Sequence, residues 1–136
     1  MSGQIHIAHT FDAGHRIVGH KGKCARLHGH TYKVEVAIRG QVHDPGFVVD
    51  FGDVKDLINL WDHRLLLWNS DPLHKTNPDA LEAEGVLWIP FNPTAENMAK
   101  ALVEKMAQVF ELYTVSLTLW ETEKCGASAF YWYDDE

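Results

Sequence analysis

The chain has 136 residues, the length of one ordinary domain, and its 46% apolar content with five Trp, six Phe and four Tyr is enough for a real core. A net charge of −7 argues against nucleic acid as the main partner, because phosphate binding needs a basic surface. No run of about 18 apolar residues is present for a membrane-spanning helix, and no basic region precedes an apolar run at Met1-Ser2-Gly3-Gln4, so the cytoplasm is the expected location.

Residues 4–16 read as extended, with Ile5, Ile7 and Phe11 forming a stripe. From Tyr32 the alternation is clean: Tyr32, Val34, Val36 and Ile38 fall on one face, Lys33, Glu35 and Arg39 on the other. Between these strands, roughly Gly19 to Leu27, lies a loop with more polar chemistry than a turn requires. Arg16, Lys21, Lys23 and Arg26 place four of the twelve Lys and Arg residues within eleven positions. Such a cluster is either a solvated loop or an attractor for an anionic small substrate.

Phe47 to Asp50 gives a short extended piece. A helix is then expected from about Gly52 into the His63 region, with Val54, Leu57, Ile58 and Trp61 at helical spacing. Asp71-Pro72 and Asn77-Pro78 mark a loop insertion, and Val86 to Ile89 reads as a short strand. Asn92-Pro93-Thr94 starts a second helix with a cap residue and a proline. Its apolar stripe runs from Ala95 through Met98, Leu102 and Met106 to Phe110, with both methionines as core filler. Val115, Leu117 and Leu119 alternate in a further strand, and Phe130 to Tyr133 returns. This order predicts a single α+β domain over 1–136, with two helices on one face of a four-stranded antiparallel sheet. Its two open edges predict an oligomer that pairs them.

Three histidines carry the first chemical signal. His28 and His30 are two apart in an extended segment and share parity with the buried row from Tyr32, so their imidazoles enter a pocket. His15 sits on the partner strand of the hairpin. Three imidazoles with an open fourth position make a catalytic zinc site, whereas a structural site is closed by four protein ligands. Cys24, four residues before His28, is either that fourth ligand or a thiolate base beside Lys23 and Arg26. Cys125 lacks such company and reads as structural. Two cysteines without a secretory leader do not suggest a disulfide framework.

Asp62-His63 offers a carboxylate next to an imidazole, the supporting arrangement for a general acid or base. Adjacent side chains do not face each other on a regular helix, so the pair works only where the helix breaks. Glu121 continues the buried row of Val115, Leu117 and Leu119. A carboxylate there should be paired or bind something, such as the amidine-like edge of a pterin or guanine.

With these residues assembled, the chain resembles the family of 6-pyruvoyltetrahydropterin and 6-carboxytetrahydropterin synthases. The motifs are Phe11-Asp-Ala-Gly-His15-Arg16, Cys24-x3-His28-Gly-His30, Val49-Asp50-Phe51-Gly-Asp53, Asp62-His63-Arg64, Asn92-Pro-Thr-Ala-Glu96-Asn97 and Glu121-Thr122. The resemblance implies the tunnelling fold, assembled into an oligomeric barrel, usually a homo-hexamer of two trimers. It implies zinc on His15, His28 and His30, Cys24 as base, Asp62 and His63 as relay partners, and Glu121 as anchor of the pterin ring. Thr94 and Glu96 match a segment lining the pterin pocket, where Ala95 replaces a second hydroxyl residue. Lys21 and Lys23 are candidate triphosphate contacts. The three-residue gap between Cys24 and His28 is similar to the bacterial 6-carboxytetrahydropterin synthases of queuosine and deazapurine synthesis. The implied reaction converts 7,8-dihydroneopterin triphosphate to 6-carboxy-5,6,7,8-tetrahydropterin, releasing acetaldehyde and triphosphate. The pyruvoyl reaction, without carbon–carbon cleavage, is the alternative within the family, and a non-catalytic zinc module is the alternative outside it.

Overall fold

The computed structural model describes residues 1–133. Two fourteen-residue strands, β1 (Ser2–His15) and β2 (His28–Gln41), pair antiparallel along their whole length, from Ser2 opposite Gln41 to His15 opposite His28. Strict alternation makes one face of this ribbon apolar and buried, with Ile7, Phe11, Tyr32, Val34, Val36 and Ile38. The other face carries exposed Asp12, Thr31, Lys33 and Glu35.

Helix α1 (Phe51–Ile58) is capped by the Asp50 carboxylate, which accepts from the Gly52 amide at 2.8 Å. It buries Val54, Leu57 and Ile58. The chain then passes through a 3-10 turn at Asn59–Trp61 into β3 (Arg64–Trp68). A short crossover carries α2 (Pro78–Ala83) and returns as β4 (Val86–Ile89). Helix α3 (Ala95–Val109) precedes β5 (Thr114–Trp120) and β6 (Gly126–Trp132).

The sheet therefore differs from the expected four antiparallel strands with two helices. It has six strands in the order β4-β3-β1-β2-β5-β6, and the described residues include a third α-helix. β3 pairs parallel to β1, and β4 parallel to β3. The difference arises at Leu65-Leu66-Leu67-Trp68, where a short apolar run has neither helical nor alternating period, as is usual for parallel strands covered on both faces. Consequently the stretch read as a loop insertion is a β-α-β crossover. The helix expected to reach His63 instead ends at Ile58 and tightens into the 3-10 turn, after which extended Asp62 (φ −64°, ψ 132°) and left-handed His63 (φ 59°) carry the chain out of helical geometry.

Met98, Ala99, Leu102, Val103 and Met106 of α3 join Val54 and Ile58 of α1 and the apolar sheet face in one core cluster. Both longer helices thus cover the same face, and the open end of that face, at the ends of β1 and β5, is where the chemistry collects.

Candidate metal centre and adjoining recess

The core row of the β1–β2 ribbon ends in histidines. Beyond the stacked pair Phe11 and Tyr32, with ring centroids 5.0 Å apart, the same face presents His15, His28 and His30. Their rings meet edge to face at centroid distances of 4.6, 5.2 and 4.9 Å. One nitrogen of each lies within 4.8 Å of the others, a group able to hold a metal ion.

Hydrogen bonding fixes which nitrogens face inward. His15 Nδ1 donates to the Pro93 carbonyl at 2.7 Å, and His28 Nδ1 donates to the Arg26 carbonyl at 2.6 Å. A carbonyl can only accept, so in the neutral rings both Nε2 atoms carry lone pairs, although they lie 3.1 Å apart. Two converging lone pairs repel unless a cation lies between them. A tetrahedral zinc ion with bonds of about 2.1 Å would place neighbouring donors about 3.4 Å apart, close to this spacing. His30 Nε2 is buried and has no hydrogen-bond partner. Such an orphaned ring nitrogen is costly in a core and suits a ligand atom. Burial, opposed by the Pro93 carbonyl and reinforced by His28 and His30, brings the His15 imidazole down to about 4. Burial also lowers His30, against the raising effect of Glu121. Neutral imidazoles are the form that binds metal. The residues present fit a divalent ion of the zinc type.

The second expected feature is close by. Glu121 Oε1 lies 3.9 Å from His15 Nε2. The 121–125 turn, closed by the Glu121 amide donating to the Cys125 carbonyl at 2.9 Å, brings both residues to a recess of about 240 Å³. His15, Cys24, Thr94 and Glu96 line the same recess. Cys24 lies on a 3-10 turn (Lys23–Ala25) and is a half-buried free thiol outside the histidine group. Cys125 is exposed and lines the recess, a placement its sequence neighbours do not signal. His20 lines it too, whereas Lys21 and Lys23 are exposed on the loop and lie outside the lining.

Thr94 is the N-cap of α3, accepting from the Asn97 amide at 3.2 Å. Pro93 thus precedes the cap instead of occupying the first turn, and its carbonyl is the one that orients His15. Arg16, counted above with the basic loop, donates from Nε to buried Asp71 at 2.7 Å and pairs with it again through Nη2. Burial raises the Asp71 carboxyl, but the Arg16 guanidinium and the Leu73 amide outweigh it and hold Asp71 below the usual carboxylate range.

Asp62 and His63 do come together, because the helix ends before them. His63 Nδ1 is 3.0 Å from Asp62 Oδ2, and Asp62 Oδ1 accepts from the Asp12 amide at 2.9 Å. The Asp12 amide and then His63 lower Asp62; the Asp62 hydrogen bond raises His63 above the usual imidazole range. Their position relative to the histidines is the main surprise. The Asp62–His63 pair clusters with the side chain of Asp12, which accepts from Thr31 Oγ1 at 2.6 Å. Asp12 and Thr31 alternate out of phase with His15 and His30, so the pair lies on the opposite, exposed face of the ribbon. A hollow of about 520 Å³ borders His63 there, and its lining also includes His28 and His30 at the start of β2.

Residues 4–131 match the family model described as 6-pyruvoyl tetrahydropterin synthase. A protein of Halobacterium salinarum described as a probable 6-carboxy-5,6,7,8-tetrahydropterin synthase is 42% identical over 112 residues, covering 81% of this chain and 75% of the relative. The 6-carboxy-5,6,7,8-tetrahydropterin synthase of Rickettsia bellii is 38% identical over 125 residues, covering 85% and 91%. Among solved structures, 6-pyruvoyl tetrahydropterin synthase from Plasmodium vivax superposes with a TM-score of 0.70 at 16% identity, covering 98% of this chain and 99% of that one. These solved folds and the architecture above make this an α+β, tunnelling-fold-like domain.

Proposed function

The chain belongs to the 6-pyruvoyl tetrahydropterin synthase family, and on that premise we propose that it is a zinc-dependent carbon–carbon lyase of queuosine and deazapurine biosynthesis. Its reaction converts 7,8-dihydroneopterin triphosphate to 6-carboxy-5,6,7,8-tetrahydropterin with release of acetaldehyde and triphosphate, in the cytoplasm. The observation that carries this reading is the convergence of His15 Nε2, His28 Nε2 and the partnerless His30 Nε2 beside a recess that also holds Cys24 and Glu121.

His15, His28 and His30 would hold the zinc ion, which when bound supplies Lewis acidity toward the substrate's side-chain oxygens. Glu121, at the rim of the histidine group, would accept two hydrogen bonds from the amidine edge of the pterin ring and set which side-chain carbon faces Cys24. Thr94 and Glu96 would line the ring's other side. Cys24 Sγ would take and return the proton beside the carbonyl, while His63, held by Asp62, exchanges the hydroxyl proton. Lys21 and Lys23 would meet the triphosphate, consistent with their exposure outside the recess.

Within one chain these parts lie apart. His63 and Cys24 are on opposite sides of the ribbon, and about 240 Å³ is less than the 300 Å³ or so at which small-molecule pockets usually begin. A neighbouring chain would therefore supply the Asp62–His63 pair. The sheet edges β4 and β6, the latter carrying exposed Phe130 and Trp132, give such neighbours a place to join, consistent with a homo-hexamer of two trimers.

Turnover of 7,8-dihydroneopterin triphosphate with trapping of acetaldehyde and mass analysis of the pterin tests the reaction. Acetaldehyde equal to pterin consumed is the expected result, and a pyruvoyl product without acetaldehyde would replace this reading with its pyruvoyl counterpart. Cys24→Ala is expected to be folded, zinc-loaded and slowed by about 10²-fold or more. Loss of zinc and of fold in that variant would instead mark a structural site closed by sulfur.

A further inference from the structure

The segment leaving β1 runs from a histidine of the metal centre toward Cys24 with no regular secondary structure before the 3-10 turn, yet it is held at successive residues. His15 is tied to the Pro93 carbonyl. Arg16 is gripped by the buried Asp71 carboxylate. Val18 is tied most fully: its amide donates to Asn92 Oδ1 at 3.0 Å, and its carbonyl accepts from Asn92 Nδ2 at 2.9 Å. One side-chain amide therefore pairs with both backbone groups of a loop residue, as a neighbouring strand would. Asn92 is itself fixed, since its carbonyl accepts from Asn97 Nδ2 at 2.9 Å on the first turn of α3. Between the two outer anchors, the Ile17 amide donates to the Cys24 carbonyl at 2.8 Å.

From this chain of contacts we propose that Asn92 is a positioning residue for Cys24. It works by clamping Val18 so that the adjoining Ile17–Cys24 bond holds the thiol at a fixed place beside the histidines. The inference deepens the reading above, in which Cys24 moves a proton. A flexible loop spanning 16–27 would sample many positions, and ordering it beforehand removes that cost from the reaction. The clamp needs both halves of an amide. A carboxylate at 92 keeps the acceptor for the Val18 amide but places an oxygen against the Val18 carbonyl, where a donor is required. The contact between His15 and Pro93 uses only the backbone of 93 and is retained.

The test compares Asn92→Asp with the unmutated enzyme, both also prepared with Cys125→Ser so that iodoacetamide reports Cys24 alone. Zinc content near one ion per chain, a Tm lower by no more than about 5 °C and a KM within about twofold are expected. Alongside these, kcat is expected to fall by about ten- to a hundredfold, with alkylation of Cys24 several times faster. A merely structural Asn92 would lower Tm while leaving kcat per zinc-loaded chain and the alkylation rate unchanged, and that result overturns the proposal. Asn92→Ser carries the same expectations where the aspartate variant does not fold. Amide exchange on the unmutated protein adds an arm that needs no variant. Val18 and Ile17 protected like the start of α3 support the clamp, and exchange at open-loop rates defeats it. Failure of the functional reading is separate: Cys24→Ala that turns over normally removes the thiol's role, whereas a normal Asn92→Asp beside an inactive Cys24→Ala removes only the clamp.

Discussion

At the scale of single residues, the feature that decides most is where each imidazole proton sits. His15 and His28 each give theirs to a backbone carbonyl, which aims two lone pairs at one point. His63 is the opposite case: exposed, facing a carboxylate, and shifted toward the charged form. Because Asp62 raises it, the protonated ring persists at higher pH than an isolated imidazole near 6.5 and is lost only as pH climbs through the raised value. Asp62→Asn removes that support. The limb of the kcat–pH profile assigned to His63 should then move to lower pH, with kcat at its maximum falling by about tenfold or more. A limb that stays in place in paired pH profiles would show that another group titrates there.

At the scale of elements, the turn between β5 and β6 links sheet geometry to the recess. Gly126 opens β6 directly after the turn that carries Glu121 and Cys125. A Cβ at 126 would lie 2.7 Å from the Leu119 carbonyl oxygen and equally near the Trp120 ring, and the backbone atom cannot rotate away. Gly126→Ala should therefore cost about 1–3 kcal/mol, read from denaturant unfolding. A cost below about 0.5 kcal/mol would mean that the hairpin relaxes freely. Elements that cover one face and expose the other were readable from sequence: β2 alternates through Tyr32, Val34, Val36 and Ile38, and α3 repeats at Met98, Leu102 and Met106. β3 was not readable, since Leu65-Leu66-Leu67 has no period and its partners are remote in sequence. The site divides the same way. Strand parity brings His28 and His30 together without further information, whereas Asn92 and Asp71 act by gripping Val18 and Arg16, contacts with no local sequence signature.

At the scale of the whole molecule, the position of the Asp62–His63 pair becomes a statement about assembly. Alternation along β1 puts Asp12 and its partners on one face and His15 on the other, so within one chain the pair faces away from the recess that Cys24 lines. If adjacent chains complete each other's sites, two inactive variants with different lesions should rescue one another. Cys24→Ala lacks the thiol but retains the pair; His63→Ala lacks the imidazole but retains the thiol. Co-refolded at equal amounts into random mixed oligomers, about one site in four receives both intact groups, so activity should recover to about a quarter of the unmutated level. Each variant alone should stay near background, and mixing the preformed oligomers without unfolding should give no recovery until subunits exchange. Size-exclusion chromatography of the refolded mixture establishes that the oligomer has reformed. A correctly assembled mixture that stays at background would place both groups in one chain's site and require the opposed faces seen here to be rearranged during catalysis.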